Sequence, residues 1–391
     1  MQRYLVIFSL SAVLLVAATA LLAWFIDPYG YWNAPVLEGI NRYHPASGKH
    51  LLAVKLRQYA RLQAKTIVAG NSRVEVGIDP AGPNWPRSFQ PVYNLGLPGK
   101  GTSAVLAAVE SAILESEPQR VFVGLDFLDF RIAEADWRNP RPRRATEAPS
   151  ISDKLVLGAK LLVSLDALTD SFSAIAEQHQ QYPATITPQG FNGLSEYNTI
   201  VAIEGHAALF EQRNRENLKS YLTGPKQVRW GGGDCPDIRD LKRFTMLAKQ
   251  RGIAVAYFTY PYHVDLLLSF EKTGLWPAFE QWVRDLAAFA DNNHVNIYMF
   301  TRLDQVTTEP VPDGGDRTTR MRWYWEGGHF KASLGDEMVA LMTKPVDKRL
   351  LLNGRTAEAQ LAELASQLVI YEHRNPEDAA RIERAYWQLA H

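Results

Sequence analysis

From Tyr4 to Ile26 the chain runs 23 residues without a charged side chain. As a helix that stretch is about 34 Å long, enough to cross a hydrocarbon core of about 30 Å. A cleaved signal has a shorter apolar region ending in a small-x-small site, whereas this run ends in Leu22-Ala23-Trp24-Phe25-Ile26. Residues 1–26 are therefore expected to be an uncleaved transmembrane anchor that stops at Asp27-Pro28. Trp24, Tyr29, Tyr31 and Trp32 are expected to form an interfacial aromatic belt there. Arg3 precedes the span and Arg42, Lys49, Lys55 and Arg57 follow it, but a long folded domain translocates regardless of such charges. The expected arrangement is a single pass through the inner (cytoplasmic) membrane, with the main domain extracytoplasmic, in the periplasm.

The rest of the 391 residues is rich enough in apolar side chains, 46% over the whole chain, to bury a core. Lys plus Arg and Asp plus Glu are 42 each, so no basic excess points to nucleic acid. Cys235 is the single cysteine, which excludes an intrachain disulfide and a multi-cysteine zinc site. Its neighbours Asp234 and Pro236 supply no cation to activate a thiolate. No histidine pair has ligand spacing and no carboxylate run resembles a calcium loop, so neither a metal nor a cofactor is expected.

Residues 27–64 read as a juxtamembrane connector followed by a helix with Leu52, Leu56, Tyr59 and Leu62 on one face. A β/α rhythm then begins. Strands are expected at Thr66 to Ala69, Pro91 to Leu95, Val121 to Leu125, Ile253 to Phe258 and Val295 to Phe300. Between them lie helices over Thr102 to Ser116, around Leu241 to Leu247, and from Pro277 through Phe289. Apolar strands alternating with helices imply a mostly parallel five-stranded sheet covered on both faces. The domain spans 65–345, with an insertion at about 130–236. That insertion opens with Arg138, Arg141, Arg143 and Arg144 among prolines, either a solvated loop or a contact for an anionic polymer or lipid headgroup. Helical patterns follow around Leu155 to Phe172 and Ile200 to Leu222, and Gly231-Gly232-Gly233 reads as a hinge or tight loop. Ser333 to Asp336 has the form of a capping box for the helix that closes the domain. The tail, 346–391, carries two amphipathic helices that either dock on the domain or hold a partner or a second copy of the chain.

The chemistry concentrates at two places. Ser72 follows the first strand in Gly70-Asn71-Ser72-Arg73, where open α/β sheets form their ligand crevice. Near the other end, Glu326-Gly327-Gly328-His329 sets a carboxylate three residues before a histidine. A serine hydroxyl becomes a nucleophile when a histidine takes its proton, and the histidine needs a carboxylate to fix its tautomer. Ser72, His329 and Glu326 fit those roles; Ser72 as a helix cap and His329 as a surface residue is the plainer alternative.

In order and context, residues 65 to 345 resemble the SGNH/GDSL-like hydrolase superfamily, in particular its membrane-anchored, envelope-polysaccharide branch. The resemblance implies a three-layer α/β/α sandwich, flavodoxin-like in layering. It also implies an oxyanion hole formed by the N–H groups of Ser72 and of Gly96 in Tyr93-Asn94-Leu95-Gly96. The family's histidine is usually preceded by Asp, so Glu326 departs from the pattern and Asp313 or Asp316 is an alternative acid. Where the family has an oxyanion asparagine after the third strand, this chain has Asp126, whose charge would oppose an oxyanion. Asn71 or Asn94 would have to supply the missing amide. Arg73 is a candidate for an anionic substrate group, His263 for the pocket wall, and Trp325, with Trp323 and Tyr324, for stacking on sugar. The function implied is an esterase or acyltransferase acting on O-acyl or O-acetyl esters of a cell-envelope polysaccharide through an acyl-serine. Partners of an export or modification complex come with it. The competing expectation is a degenerate domain of this type that binds polysaccharide or scaffolds such a complex.

Overall fold

Each expected apolar run becomes a strand, and all five join one parallel sheet. The computed structural model describes residues 1–139, 151–345 and 347–390. Its strands are β1 (Thr66–Gly70), β2 (Val92–Gly96), β3 (Arg120–Leu125), β4 (Ala254–Thr259) and β5 (Asn296–Tyr298), in the order β2-β1-β3-β4-β5. β1 and β2 are buried along their whole length because helices cover both faces. The helices Leu51–Leu62, Thr102–Glu115, Pro236–Gln250 and Trp276–Asn293 pack side by side, while Ser72–Gly77 and Ala332–Thr343 pack together. The result is the three-layer α/β/α sandwich. Strand order reverses between β1 and β3, so the crevice of such a sheet opens at their carboxyl ends. Ser72 and Asp126 follow those two ends.

The N-terminal helix Gln2–Ile26 is exposed over most of its length, and Asp27 closes it in the left-handed conformation, φ 47°. The Asp27 carboxylate accepts the N–H groups of Tyr31, Trp32 and Asn33, each at 2.8 Å, which turns the chain away from the helix axis. The aromatic belt expected beyond it is not formed as such. Tyr29 and Tyr31 are buried, and the Tyr29 hydroxyl donates to Asp170 at 2.8 Å. Two insertion helices, Ile151–Val163 and Leu165–Glu177, pack on the end of the N-terminal helix and claim these rings for a small core with Ala23, Leu161 and Ala167. The chain breaks between them at Ser164, whose hydroxyl accepts the Ala167 N–H.

Three further outcomes concern the helices. The capping box at Ser333 does not form: the helix Ala332–Thr343 starts earlier, at the N-cap Lys331, and the Ser333 hydroxyl donates to the Arg322 carbonyl. Asp336 instead holds the side chain of Asn84 at 2.7 Å. Both tail helices dock: Ala357–Arg374 lies on Trp276–Asn293, and Pro376–Ala390 on His206–Thr223 and Val264–Lys272, with Arg381 bonded to Asp265 at 3.0 Å. Arg138 ends a short helix, Glu134–Arg138, and pairs with Glu134. Arg141, Arg143 and Arg144 lie outside the described residues.

Candidate active site

At the end of β1 the backbone turns sharply, and Gly70 permits it. A side chain there would press on the Tyr260 hydroxyl, 2.5 Å from an added Cβ. Asn71 then caps the helix Ser72–Gly77, its carboxamide oxygen accepting the Arg73 N–H at 3.0 Å. Ser72 is the first residue of that helix, so its own N–H has no partner within the helix.

The other half of the site is a two-stranded hairpin absent from the sequence reading, β6 (Tyr324–Glu326) and β7 (His329–Phe330), joined by Gly327-Gly328. The tight turn folds Glu326 back beside His329. Glu326 is buried, one oxygen accepting the Gly328 N–H at 2.7 Å and the other bonded to His329 Nδ1. A carboxylate at Nδ1 fixes the ring proton there and leaves the Nε2 lone pair free to accept. Nε2 lies 2.7 Å from Ser72 Oγ, across 257 residues of sequence. Burial alone would raise the Glu326 carboxyl. His329, the Gly328 N–H and Arg73 outweigh it and hold the group below its ordinary value. The acid facing the histidine is thus Glu326. Asp313 is exposed, and Asp316 turns to its own loop, accepting the Thr318 and Thr319 N–H groups.

Beneath the serine lies a polar network that the sequence did not reveal. The Arg73 guanidinium is buried, bonded to Asp126, donating Nε–H to the Gly328 carbonyl at 2.6 Å, and flanked by the rings of Tyr260 and Tyr262. Arg73 therefore ties the serine turn to the Glu326–His329 turn, and its geometry does not suit the role of receptor for an anionic substrate group. Asp126 also accepts from Asn71 Nδ2 at 2.7 Å, from the Tyr262 hydroxyl at 2.6 Å and from the Leu128 N–H at 3.2 Å. Its charge is matched by Arg73, so it is not a bare carboxylate. Asp129, 3.4 Å from the Asn71 amide, is pushed up to about 7, mainly by burial, with nearby Arg73 opposing.

The expected oxyanion donors are the weakest part of the arrangement. The Gly96 N–H is donated to Asn94 Oδ1 at 2.8 Å, and Gly96 packs against the backbone of Glu75 so closely that a Cβ has no room. Asn94 directs its amide to the carbonyls of Val74 and Ile78, at 2.8 and 2.7 Å. Asn71 directs its own to Asp126. Of the expected donors, the Ser72 N–H alone is left without such an engagement.

His263 and Trp325 do not line an open pocket. His263 is buried, Nδ1 accepting the Asp265 N–H and Nε2 donating to the Glu309 carbonyl at 2.8 Å, so it caps the helix Val264–Lys272. Trp325 is 8% exposed, edge-on to Tyr197 and with Lys331 Nζ 4.3 Å from its ring centre. Cys235 is buried, and burial pushes its thiol up to about 12, which leaves it inert. Among the described residues no group of three or more His, Cys, Asp or Glu gathers in a metal-holding arrangement. A surface depression lined by Asp291, His294, Asn296 and Arg355 opens at the amino end of β5, opposite the Ser72 edge, and brings no nucleophile.

Lys55 and Glu75 form a fully buried ion pair at 2.9 Å behind the serine helix, with Lys55 Nζ also donating to the Gly96 carbonyl at 2.6 Å. The sequence offered no signal for this pair, since each residue sits in an otherwise ordinary helical pattern. No protein family, curated protein or solved structure matches the chain, so the site is read from its own geometry.

Proposed function

We propose that the chain is a membrane-anchored, extracytoplasmic serine esterase or O-acyltransferase of SGNH-like type, with Ser72 as nucleophile, His329 as base and Glu326 as orienting acid. One observation carries the reading: Ser72 Oγ lies 2.7 Å from an imidazole nitrogen whose other nitrogen is held by a buried carboxylate. In the mechanism, Ser72 Oγ attacks the ester carbonyl carbon as its proton passes to His329 Nε2. Glu326 stabilises the imidazolium. The Ser72 N–H faces the oxyanion. Collapse of the tetrahedral intermediate breaks the bond to the leaving oxygen, which takes the proton from Nε2, and an acyl-serine remains. Water or a sugar hydroxyl then attacks the acyl carbon as its proton passes to Nε2, and collapse of this second intermediate breaks the bond to Ser72 Oγ, which takes the proton from Nε2 and leaves the free acid or the new ester. Acyl or acetyl esters of a cell-envelope polysaccharide are the substrate class that the family resemblance suggests. The apolar helix Gln2–Ile26 supports a single-pass anchor.

A second reading has its own support. The Gly96 N–H and the Asn71 amide are both engaged within the protein, which suits a degenerate domain that binds polysaccharide without cleaving esters. Full-length protein incubated with an aryl acetate and then digested for mass spectrometry separates the two. Acetyl on the Ser72 peptide, absent after His329→Ala, supports the enzyme; release of the phenol at the buffer rate, with no acetyl-serine, supports the binding domain.

A further inference from the structure

The part of the N-terminal helix that stands free of the protein is about 4 Å shorter than the hydrocarbon core it is proposed to cross. Gln2 to Ala18 are exposed, and from Thr19 the folded domain begins to cover the helix. Those 17 free residues span about 26 Å, against a hydrocarbon core of about 30 Å. The turns from Thr19 to Ile26, and whatever packs on them, are therefore drawn to the level of the lipid. What packs on them is the pair of insertion helices, Ile151–Val163 and Leu165–Glu177.

Independently, these helices turn an apolar stripe away from the protein, with Ser152, Asp166, Thr169 and Ser173 exposed beside it. Leu155, Val156, Ala159 and Val163 are exposed and recur at the i, i+1, i+4, i+8 spacing of a single face, while Gly158 and Leu161 face inward. Leu165 (82% exposed) and Phe172 (59%) extend the patch onto the second helix. A helix on the surface of a water-soluble domain carries polar residues on that side. Lys160, at the edge of the face, has a stem long enough to bring its ammonium to the headgroups.

We propose that the insertion helices form a membrane seat: Leu155, Val156, Val163, Leu165 and Phe172 dip into the lipid of the leaflet from which the domain emerges, continuous with the anchor. The inference rests on the anchor reading. It extends that reading, because a helix alone is a tether whereas a helix with a seat fixes the domain's tilt and the height of Ser72 above the bilayer. The occupant is lipid: the two helices that carry the stripe pack on the span itself, whose last turns also leave Leu21 and Trp24 exposed.

The test is spin labelling of the full chain in nanodiscs of phosphatidylethanolamine and phosphatidylglycerol. Labels are placed singly by Leu155→Cys, Leu165→Cys and Phe172→Cys, with Leu10→Cys inside the span and Val369→Cys on the tail as references; native Cys235 is buried and shielded from reagent. Collision with oxygen, which concentrates in lipid, is compared with collision with a water-soluble nickel chelate. The proposal expects oxygen-to-nickel ratios at 155, 165 and 172 several-fold above that at 369 and below that at 10. Lipid exposure at 10 with water exposure at 155, 165 and 172 overturns the seat and leaves the anchor standing. Water exposure at 10 overturns the anchor, and the seat with it. Labels at the patch that are immobile and shielded from both reagents mean that a protein covers this face, which also overturns the proposal.

Discussion

Replacing Asp126 by Asn is the change for which sequence and structure give opposite signs. Read from the chain alone, Asp126 stands where an oxyanion donor belongs, so Asn should speed acylation of Ser72. In the structure Asp126 and Arg73 are a buried pair with side chains 2% and 9% exposed, and Asp126 further accepts from Asn71 and Tyr262. Removing one member of a buried pair leaves the other charge unmatched and costs about 3–5 kcal/mol. At a urea slope of about 3 kcal/mol/M, the unfolding midpoint of the domain falls by roughly 1–1.7 M. Because Arg73 also holds the Gly328 carbonyl, its displacement loosens the Glu326–His329 turn, so acylation of Ser72 slows. The assay is urea unfolding of the full chain in detergent, followed by tryptophan fluorescence, alongside the rate of aryl acetate labelling. Asp126→Leu combined with Arg73→Met buries neither charge and is expected to regain a large share of the lost stability. An unchanged midpoint together with faster acylation in Asp126→Asn would refute the pairing argument.

Gly335→Ala places a methyl group against the Gly77 carbonyl oxygen, separating the serine helix from the helix that closes the domain. An overpacking loss of about 1–3 kcal/mol in urea unfolding is expected, with slower labelling of Ser72. Lys55→Met strands the buried Glu75 carboxylate and should cost about 3–5 kcal/mol, whereas adding Glu75→Leu should restore much of it; equal losses in the single and double variants would contradict this. Asp129, raised in the folded state, contributes stability that is present at low pH and is lost as pH rises from about 3.8 to about 7. Asp129→Asn should remove that slope from the pH dependence of the unfolding midpoint, and a slope left intact would mean that another group titrates. Glu326 has the opposite sign: held below its ordinary 4.5, it stabilises the fold above that pH and the contribution is lost as pH falls through the lowered folded value. Glu326→Gln should therefore flatten the acid limb.

What the sequence made legible is local. Runs such as Thr66 to Ala69 and Val121 to Leu125 mark strands because burial on both faces demands unbroken apolar side chains. Ser72 could be placed because a serine directly after such a run must lie at the sheet edge. Glu326 and His329 could be paired because a three-residue spacing survives many turn geometries. What stayed hidden depends on partners far apart in the chain. Nothing around Arg73 announces Asp126 or Gly328, and nothing around Tyr29 announces Asp170, so an expected substrate contact became a brace and an expected membrane aromatic became a core residue. The engagement of the Gly96 N–H stayed hidden for a subtler reason. The strand-end position of Gly96 was read correctly, but whether its N–H is free depends on the rotamer of Asn94 two residues earlier, which no pattern of residue types specifies.

The central claim is that Ser72 is an activated nucleophile, and a fluorophosphonate probe reports that without knowledge of the natural ester. Full-length protein in detergent, folded by the criterion of a cooperative urea transition, is incubated with the probe and the adduct is mapped by mass spectrometry, with Ser72→Ala and His329→Ala in parallel. An adduct on Ser72 is expected, absent from the first variant and strongly reduced in the second. No adduct on Ser72 in the folded protein, or an adduct that forms equally well without His329, would contradict it.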